Sequence, residues 1–359
     1  MTAAEFFAAL PIPIVQSPMV GASSLEMAVA VSQAGGLGGL GAGGLAPDAI
    51  EAQAAELRAT GAPFAVNLFV LAPARPSGDA VSAAIERLAP WYAELGLPPP
   101  EAPNDFAPDF EAQFAALVRA APPVASFTFD RLQPGQVEAL HAVGSLVVGT
   151  ATTVAEARAW AEAGADAISA QGAEAGGHRG HFLAETEASL VGTMALVPTI
   201  LAATGLPVLA AGGIMDGRGV AAALSLGAAA AQMGTAFLLA DETAISQPWQ
   251  RAIGGAPDDP TRLTRAFTGR HARGLENRFM REMRGVEGDV PAYPVQNRLT
   301  QPMRAAAAKA GEPDLISLWA GQGVKLARPG ASGELVRRWW AEAQAASRQL
   351  AVRTGNLSR

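Results

Sequence analysis

Residues 146–171 read LVVGTATTVAEARAWAEAGADAISAQ. The apolar runs at the two ends of this stretch predict strands that are buried on both faces, and the middle has the periodicity of a helix. Thr153 and Glu156 have the spacing of a capping box, and Gly164 lies just past the predicted helix end, where a left-handed C-cap is favoured. The stretch therefore predicts a strand–helix–strand unit, which is the building block of α/β folds with parallel strands.

The same pattern repeats along the first 240 residues. Eight short apolar runs predict buried strands: IVQSPM (14–19), GLGGLG (36–41), FAVNLFV (64–70), VASFTF (124–129), LVVGTA (146–151), AISAQ (167–171), PVLAAGG (207–213) and AAAQMGTAF (229–237). Segments with helical periodicity lie between them, at 24–34, 47–60, 77–95, 109–120, 134–143, 153–163, 190–204 and 217–226. Eight alternations favour an α/β fold whose parallel sheet closes into a (β/α)8 TIM barrel, with an open doubly wound sheet as the alternative.

The chain is longer than such a barrel requires. It has 359 residues, about 109 more than the roughly 250 of a typical barrel. We predict a barrel over 1–240 that is completed by C-terminal helices in 311–359. A smaller appended α/β cap domain over 241–310 is predicted to select the substrate.

The predicted cap is rich in arginine. Its seven clustered arginines are Arg262, Arg265, Arg270, Arg273, Arg278, Arg281 and Arg284. Acidic residues are interleaved with them, which favours a solvated surface with internal ion pairs over a nucleic-acid surface. As the alternative, one or two of these arginines attract an anionic substrate to the barrel mouth.

Composition excludes several classes of protein. Half of the residues are hydrophobic and 16% are charged, so the chain can bury a large core. The net charge of −7 argues against nucleic acid as a partner, and the absence of cysteine excludes disulfides and thiolate chemistry. The uncharged runs 188–215 and 219–240 are long enough to cross a membrane, but internal Gly and Pro residues indicate buried helix–strand pairs instead. The N-terminus has no cationic segment, so we expect no secretory signal, no membrane partner and a cytoplasmic location.

Functional groups of a barrel lie at the carboxyl ends of its strands. The seventh predicted strand ends in AAGGI (210–214) and the eighth in QMGT (232–235). Glycines at these two strand ends let backbone N–H groups approach a phosphate, although one such pair alone is more often a tight turn. The glycines of 35–44 match a dinucleotide fingerprint only superficially, because no long helix opens directly after them.

The sixth predicted strand continues into the glycine-rich loop QGAEAGGHRGH (171–181). His178 on this loop is a candidate general base, since the pKa of histidine lies near neutrality. A metal site formed by His178 and His181 with Glu174 or Glu185 is the alternative. The spacing fixes no coordination geometry and no third histidine is near, so we predict no metal.

Other polar residues near the predicted strand ends have ordinary explanations as well. Asn67 lies amid apolar residues, where either a structural hydrogen bond or the edge of a heteroaromatic ring would satisfy its amide. The run SPM (17–19) ends the first strand in a rigid turn. His141, in a predicted helix, and His271, among the arginines, are expected to be structural.

The run Gln-Gly-x-Glu-Ala-Gly-Gly-His-Arg-Gly at 171–180 resembles the signature of the nitronate monooxygenases of the first class, formerly called 2-nitropropane dioxygenases. Further similar segments are Pro18-Met19, GGLG (35–38), Asn67-Leu68-Phe69, Ser126-Phe127, AGGI (211–214), QMGT (232–235) and WAGQ (319–322). The resemblance implies a TIM barrel that binds FMN and carries a smaller second domain. It places the catalytic histidine at His178. The flavin contacts it implies are Pro18, Met19, Asn67, Gln171, Gly176, Gly177, Gly212, Gly213, Gln232, Met233, Gly234 and Thr235.

The chain departs from the family pattern in two places. Ser17 stands where alanine is expected, which matters little if the backbone makes the contact. Phe129, Asp130 and Arg131 follow the fourth strand where a small residue is expected, so no contact is carried over to them.

The resemblance also implies a reaction. Alkyl nitronates, such as propionate 3-nitronate and nitroalkane anions, would be oxidised with O2 through a flavin semiquinone to a carbonyl compound and nitrite. His178 would bind the anionic nitro group when protonated, or remove the α-proton of a neutral nitroalkane. The alternatives are an NAD(P)H-dependent FMN reductase of quinones or enoyl thioesters and a non-catalytic flavin-binding protein. Both a monomer and a homodimer remain open.

Overall fold

A computed structural model of the protein describes residues 1–355. Its strands are β1 (Ile14–Gln16), β2 (Gly38–Gly41), β3 (Phe64–Phe69), β4 (Val124–Thr128), β5 (Leu146–Ala151), β6 (Ala167–Gln171), β7 (Gly177–His178), β8 (Val208–Ala211), β9 (Ala230–Met233), β10 (Thr261–Thr264) and β11 (Ala272–Leu275). Its α-helices are α1 (Ala3–Ala8), α2 (Leu25–Gln33), α3 (Pro47–Ala59), α4 (Gly78–Glu94), α5 (Phe110–Ala120), α6 (Pro134–Ala142), α7 (Val154–Ala163), α8 (Thr193–Thr204), α9 (Gly217–Ser225), α10 (Gln247–Gly254), α11 (Arg278–Met283), α12 (Val295–Ala310) and α13 (Ser332–Arg353).

Eight of these strands form one parallel sheet in the order β1-β9-β8-β6-β5-β4-β3-β2. A parallel bridge between Val15 and Leu37 joins the two ends of this order, so the sheet closes on itself. The predicted (β/α)8 TIM barrel is therefore confirmed, and the open doubly wound sheet is wrong.

The amino end of the barrel is closed by α1, a short helix that the sequence analysis did not predict. Phe6 and Phe7 of this helix pack against a ring of inward-facing strand residues. The ring consists of Val15, Leu37, Ala65, Val124, Val148, Ala167, Leu209 and Ala230. Because this end is filled, a cavity can form only toward the carboxyl ends of the strands.

The helices cover the outer face of the barrel by close packing on small strand residues. A Cβ atom added to Gly149 in β5 would lie 2.1 Å from the indole ring of Trp160, which is fully buried on α7. The C-terminal α13 packs against α9 and α2, and its Trp339 contacts Phe237 edge to face. Residues 356–359 of the predicted tail lie outside the described residues.

A second hydrophobic core lies above the carboxyl ends of the strands. It is built from α10, α11 and α12 together with Phe267 and residues 315–324, and α4 contributes Leu88, Trp91 and Tyr92. β10 and β11 pair antiparallel, and β11 also pairs with β7, the short strand that carries His178. The division of domains at residues 240 and 310 stays a prediction, because this core draws on segments from both sides of those limits.

Several predicted elements are shorter in the structure. The predicted strand 14–19 ends at Gln16, before Pro18, which cannot donate a backbone hydrogen bond to a sheet. The predicted strand 229–237 ends at Met233, and a 3-10 turn over Thr235–Phe237 follows. Gly234 between them breaks the extended backbone with φ −115° and ψ −73°.

The two long uncharged runs form buried helix–strand pairs, as predicted. The first contains α8 and β8, and the second contains α9 and β9. Over residues 1–355, no helix is both long and apolar enough to cross a membrane.

Candidate functional site

A cavity of about 410 Å³ opens at the carboxyl ends of the barrel strands. This volume falls within the range of small-molecule and cofactor sites. Its floor comes from seven of the eight barrel strands and from Leu37, which precedes β2. Its roof comes from the second core, through Trp249, Tyr293, Asn297, Arg304 and Trp319.

His178 projects into this cavity from β7, and its ring is held by Thr268. The Nε2 atom of His178 lies 2.9 Å from the Thr268 hydroxyl oxygen. That hydroxyl donates its proton to the carbonyl of Arg270 at 3.1 Å, so its oxygen accepts the bond from the imidazole. Nε2 therefore carries the ring proton in the neutral histidine, and Nδ1 is the basic nitrogen.

Aromatic rings surround the imidazole. The ring centroids of Phe129, Tyr293 and Trp319 lie 5.5, 5.4 and 5.7 Å from that of His178. Removal from water lowers the pKa of His178 to about 3, and the positive charges of Arg270 and Arg304 add to the shift. His178 is thus neutral at neutral pH, and the positive charge of the site resides on arginines.

Gln171, at the end of β6, fixes the loop that carries His178. Its amide nitrogen donates to the carbonyl of His178 at 3.0 Å, and its amide oxygen accepts from the N–H of Gly180 at 2.8 Å. The adjacent Arg179 is fully buried and donates to the carbonyls of Gly172, Gln171 and Ser189. The loop is therefore held by side chains of its own sequence.

Glu156 supports the same loop from outside. Thr153 caps α7 as predicted, but Glu156 does not complete the predicted capping box. Its buried carboxylate instead accepts from Thr152 and from the N–H groups of Phe182 and Leu183. These hydrogen bonds hold the pKa of Glu156 below its ordinary value although burial opposes this.

The glycines at the ends of β8 and β9 form the predicted cradle. Gly212 and Gly213 adopt φ +119° and +73°, a conformation that side chains other than glycine rarely take. Over residues 1–355, the N–H groups of Gly213 and Gly234 have no intramolecular acceptor. The Thr235 hydroxyl accepts from the N–H of Gly321 at 2.9 Å. Two strand ends thus offer free backbone donors at one place, as an anion such as a phosphate requires.

Polar side chains line the cavity floor. The amide of Asn67 on β3 donates to the hydroxyls of Ser126 and Thr128 on β4, at 3.1 and 3.4 Å. The side-chain oxygen of Gln232 on β9 accepts from Ser169 at 2.9 Å. These bonds orient the amides of the two side chains, and both line the cavity.

Five of the seven clustered arginines of the predicted cap divide into two groups. Arg262, Arg278 and Arg284 form ion pairs at the surface, as expected for a solvated region. For Arg270 and Arg273 this expectation is wrong, because both point inward and donate to backbone carbonyls. The Arg270 guanidinium lies 4.3 Å from the ring centroid of Phe129, and burial lowers its pKa to about 10.

The remaining histidines have structural partners. His141 pairs with Asp166 at 2.8 Å, and His181 and His271 lie 3.2 and 2.8 Å from the Thr186 hydroxyl. Glu174 accepts from the backbone and hydroxyl of Thr193 at the start of α8. No cluster of three potential metal ligands occurs among the residues that the structure describes.

Comparison with known proteins agrees with this architecture. A family model described as nitronate monooxygenase matches residues 4–342. A probable nitronate monooxygenase of Staphylococcus aureus (strain Newman) is 41% identical over 317 residues, which cover 88% of this chain and 89% of the relative. The chain belongs to the nitronate monooxygenase family. Its resemblance to that family is confirmed, and it is an oxidoreductase.

Solved structures support the assignment to the nitronate monooxygenase family. A nitroalkane oxidase from Streptomyces ansochromogenes superimposes with a TM-score of 0.90 at 42% identity, covering 97% of this chain and 100% of that one. FabK from Thermotoga maritima gives a TM-score of 0.74 at 27% identity, with 98% of each chain covered.

The structure brings together nearly all of the residues carried over from the nitronate monooxygenase family. Those that line the cavity are Pro18, Met19, Asn67, Gln171, Gly176, Gly177, His178, Gly212, Gly213, Gln232, Gly234 and Thr235. The Met233 side chain does not; it is fully buried in the core between barrel and helices. A Cβ atom on Gly176 would lie 2.5 Å from the backbone of Ala320 and Gly321, so glycine is required there.

Sequence reasoning missed the side chains of the cavity roof. On and just before α12, Tyr293, Asn297, Gln301 and Arg304 line the cavity at intervals of three and four residues. That spacing places polar residues on one face of a helix, and this signal was available in the sequence. For Thr268, which lies 90 positions from its partner His178, no such local signal exists.

Proposed function

We propose that this protein binds FMN and oxidises alkyl nitronates with O2, yielding a carbonyl compound and nitrite. The observation that carries the proposal is the position of His178. Its neutral imidazole faces the same cavity as a glycine cradle with free backbone donors. Propionate 3-nitronate and the anions of simple nitroalkanes are the substrates considered.

The site fits FMN. The free N–H groups at the ends of β8 and β9 suit a phosphate, and glycine at these positions leaves room for it. Pro18 and Met19 would contact the isoalloxazine ring, while Asn67 and Gln232 supply polar groups for its heteroatoms. When bound, FMN would supply electron transfer from the nitronate to O2.

The chain itself supplies position, exclusion of water and proton transfer. Phe129, Tyr293 and Trp319 exclude water around His178. With Nε2–H bonded to Thr268, Nδ1 is free to take the α-proton of a neutral nitroalkane. A nitronate has already lost that proton, so its oxidation needs no base.

Substitution of His178 tests this assignment. His178→Asn should lower turnover of a neutral nitroalkane by about 10²- to 10⁴-fold, the usual contribution of a general base. FMN content should stay unchanged. His141→Asn is the matched control, because His141 is exposed and pairs only with Asp166. Equal nitroalkane turnover in His178→Asn and wild type would refute the assignment.

The reaction class is tested on the wild-type protein. We expect the purified protein to show a flavin spectrum, or to acquire one with added FMN, and to consume O2 and release nitrite with ethylnitronate. Rapid anaerobic bleaching of the flavin by NADH or NADPH, without nitronate-dependent O2 uptake, would identify a reductase instead. Binding of FMN with neither reaction would identify a non-catalytic flavin-binding protein. The cytoplasmic location stays a prediction.

A further inference from the structure

Arg304 is the cationic side chain that lines the cavity. Among the described lining residues, His178 is neutral, and the charged side chains are Glu174 and Arg304. The Glu174 carboxylate already has a structural role, since it accepts hydrogen bonds from Thr193 at the start of α8. A negatively charged ligand in this cavity therefore finds one positive side chain there.

The guanidinium of Arg304 is held by neutral groups alone. It donates to the Ser317 hydroxyl at 3.2 Å and to the backbone and side-chain oxygens of Asn297 at 3.0 and 2.8 Å. Its Nε atom is buried and has no acceptor. Within residues 1–355 no carboxylate forms an ion pair with Arg304, and the only titratable groups that affect its pKa are the phenols of Tyr293 and Tyr92.

Arg304 is half-buried, and a cation that is partly withdrawn from water without an anion beside it is costly, so proteins normally pair it. Desolvation lowers the pKa of Arg304 to about 10, yet the group stays protonated at neutral pH. An anion that entered the cavity would provide Arg304 with the oppositely charged partner that the protein itself does not supply. Arginine suits a planar oxyanion because its N–H groups can bind two oxygens at once.

The surroundings orient such a ligand. Tyr293, Asn297 and Gln301 line the same wall as Arg304, whereas Leu238 and Trp249 line the cavity with apolar surface. The wall of α12 is thus polar and carries the charge.

We propose that Arg304 is the anion-binding and specificity-determining residue of this cavity, and that its guanidinium binds the planar oxyanion group of the substrate. The proposal rests on the proposed function for the identity of that substrate. The oxyanion is either the nitronate group or a carboxylate elsewhere in the molecule. His178, being neutral, is left to act on protons.

The test compares Arg304→Gln and Arg304→Lys with the control Lys309→Gln, which removes a positive charge from an exposed position of the same helix. For the flavin-loaded proteins, dissociation constants of nitrate and propionate are measured from changes in flavin absorbance. We expect Arg304→Gln to weaken binding of at least one of these anions on the order of 100-fold. Arg304→Lys should recover part of that loss, and Lys309→Gln should bind like wild type. Unfolding midpoints show whether each variant is folded. If Arg304→Gln does not fold, the anion affinity of Arg304→Lys is compared with that of wild type instead.

Kinetics with two substrates then identify the oxyanion. A loss of kcat/KM with both ethylnitronate and propionate 3-nitronate supports binding of the nitronate group. A loss with propionate 3-nitronate alone supports binding of its carboxylate. Anion binding and kcat/KM that are unchanged in Arg304→Gln would overturn the proposal even if nitronate turnover is confirmed. Conversely, wild type that binds nitrate through Arg304 without oxidising nitronates would refute the proposed function and leave the anion site standing.

Discussion

The hydrogen bond between Thr268 and His178 makes the sharpest prediction about proton transfer. Thr268→Val keeps the shape of the side chain but removes the oxygen that accepts from Nε2 of His178 at 2.9 Å. Thr268 is fully buried, so water cannot replace that acceptor without a rearrangement. The variant should therefore lose the orientation of the imidazole while retaining the imidazole itself.

The size of the effect follows from the unsatisfied donor. Leaving a buried N–H without an acceptor costs about 1–3 kcal/mol. If this cost falls on the transition state for proton removal, kcat/KM for nitroethane drops roughly 5- to 150-fold. Ethylnitronate needs no proton removal, so its kcat/KM should change much less.

The assay measures O2 uptake with both substrates across pH for wild type, Thr268→Val and Thr268→Ser. Serine retains the hydroxyl and should restore nitroethane turnover and its pH profile. If Thr268 had a purely structural role, Thr268→Val would lower kcat/KM equally with both substrates and would lower the flavin content as well. If Thr268→Val has the same kcat/KM with nitroethane as the wild type, the reasoning is refuted.

Further predictions concern stability and cofactor binding. The pKa of His178 is lowered to about 3 and that of His181 to about 4. Below pH ~6.5 the unfolded chain binds protons that the folded chain refuses, so the buried His178 should cost ~2 kcal/mol of stability between pH 6.5 and 5, and the more exposed His181 less than that. The loss is measured as a drop in urea midpoint; an unchanged midpoint contradicts this. Gly149→Ala forces a Cβ atom against Trp160 at 2.1 Å and should lower the unfolding temperature by several degrees, with exposed Gly135→Ala as the control. Gly213→Ala strains a φ of +73° in the cradle and should weaken FMN binding about tenfold, measured by fluorescence titration; equal affinity would argue against a phosphate there.

The barrel could be predicted from sequence because its determinants are local. Each strand is a short apolar run, and each following helix has its own signals, such as Thr153 at the start of α7 and Gly164 at its end, which adopts φ +96°. Such signals depend on residues within a few positions of one another. Eight repetitions then leave few topologies that place every strand beside its neighbours.

The roof of the site could not be predicted in the same way. Arg270 and Arg273 carry the sequence signature of a solvated surface, yet they bond to carbonyls about 90 and 100 positions away. Nothing near them in sequence shows which acceptors they will reach. The same holds for Glu156, whose local spacing suggested a capping box while its carboxylate binds a loop 26 positions away.

These distant contacts together give the site its electrostatic character. The chain has a net charge of −7, but Arg270 and Arg304 lie near His178 and bond to neutral oxygens. Their positive charge adds to the lowering of the His178 pKa by burial and favours an anion beside it. An anion that binds near Arg304 neutralises part of this field, and the pKa of His178 must rise by linkage. A neutral nitroalkane provides no such compensation and meets a weak base. Under the proposed function, this charge distribution therefore favours nitronates, already deprotonated, over the neutral nitroalkanes from which they form.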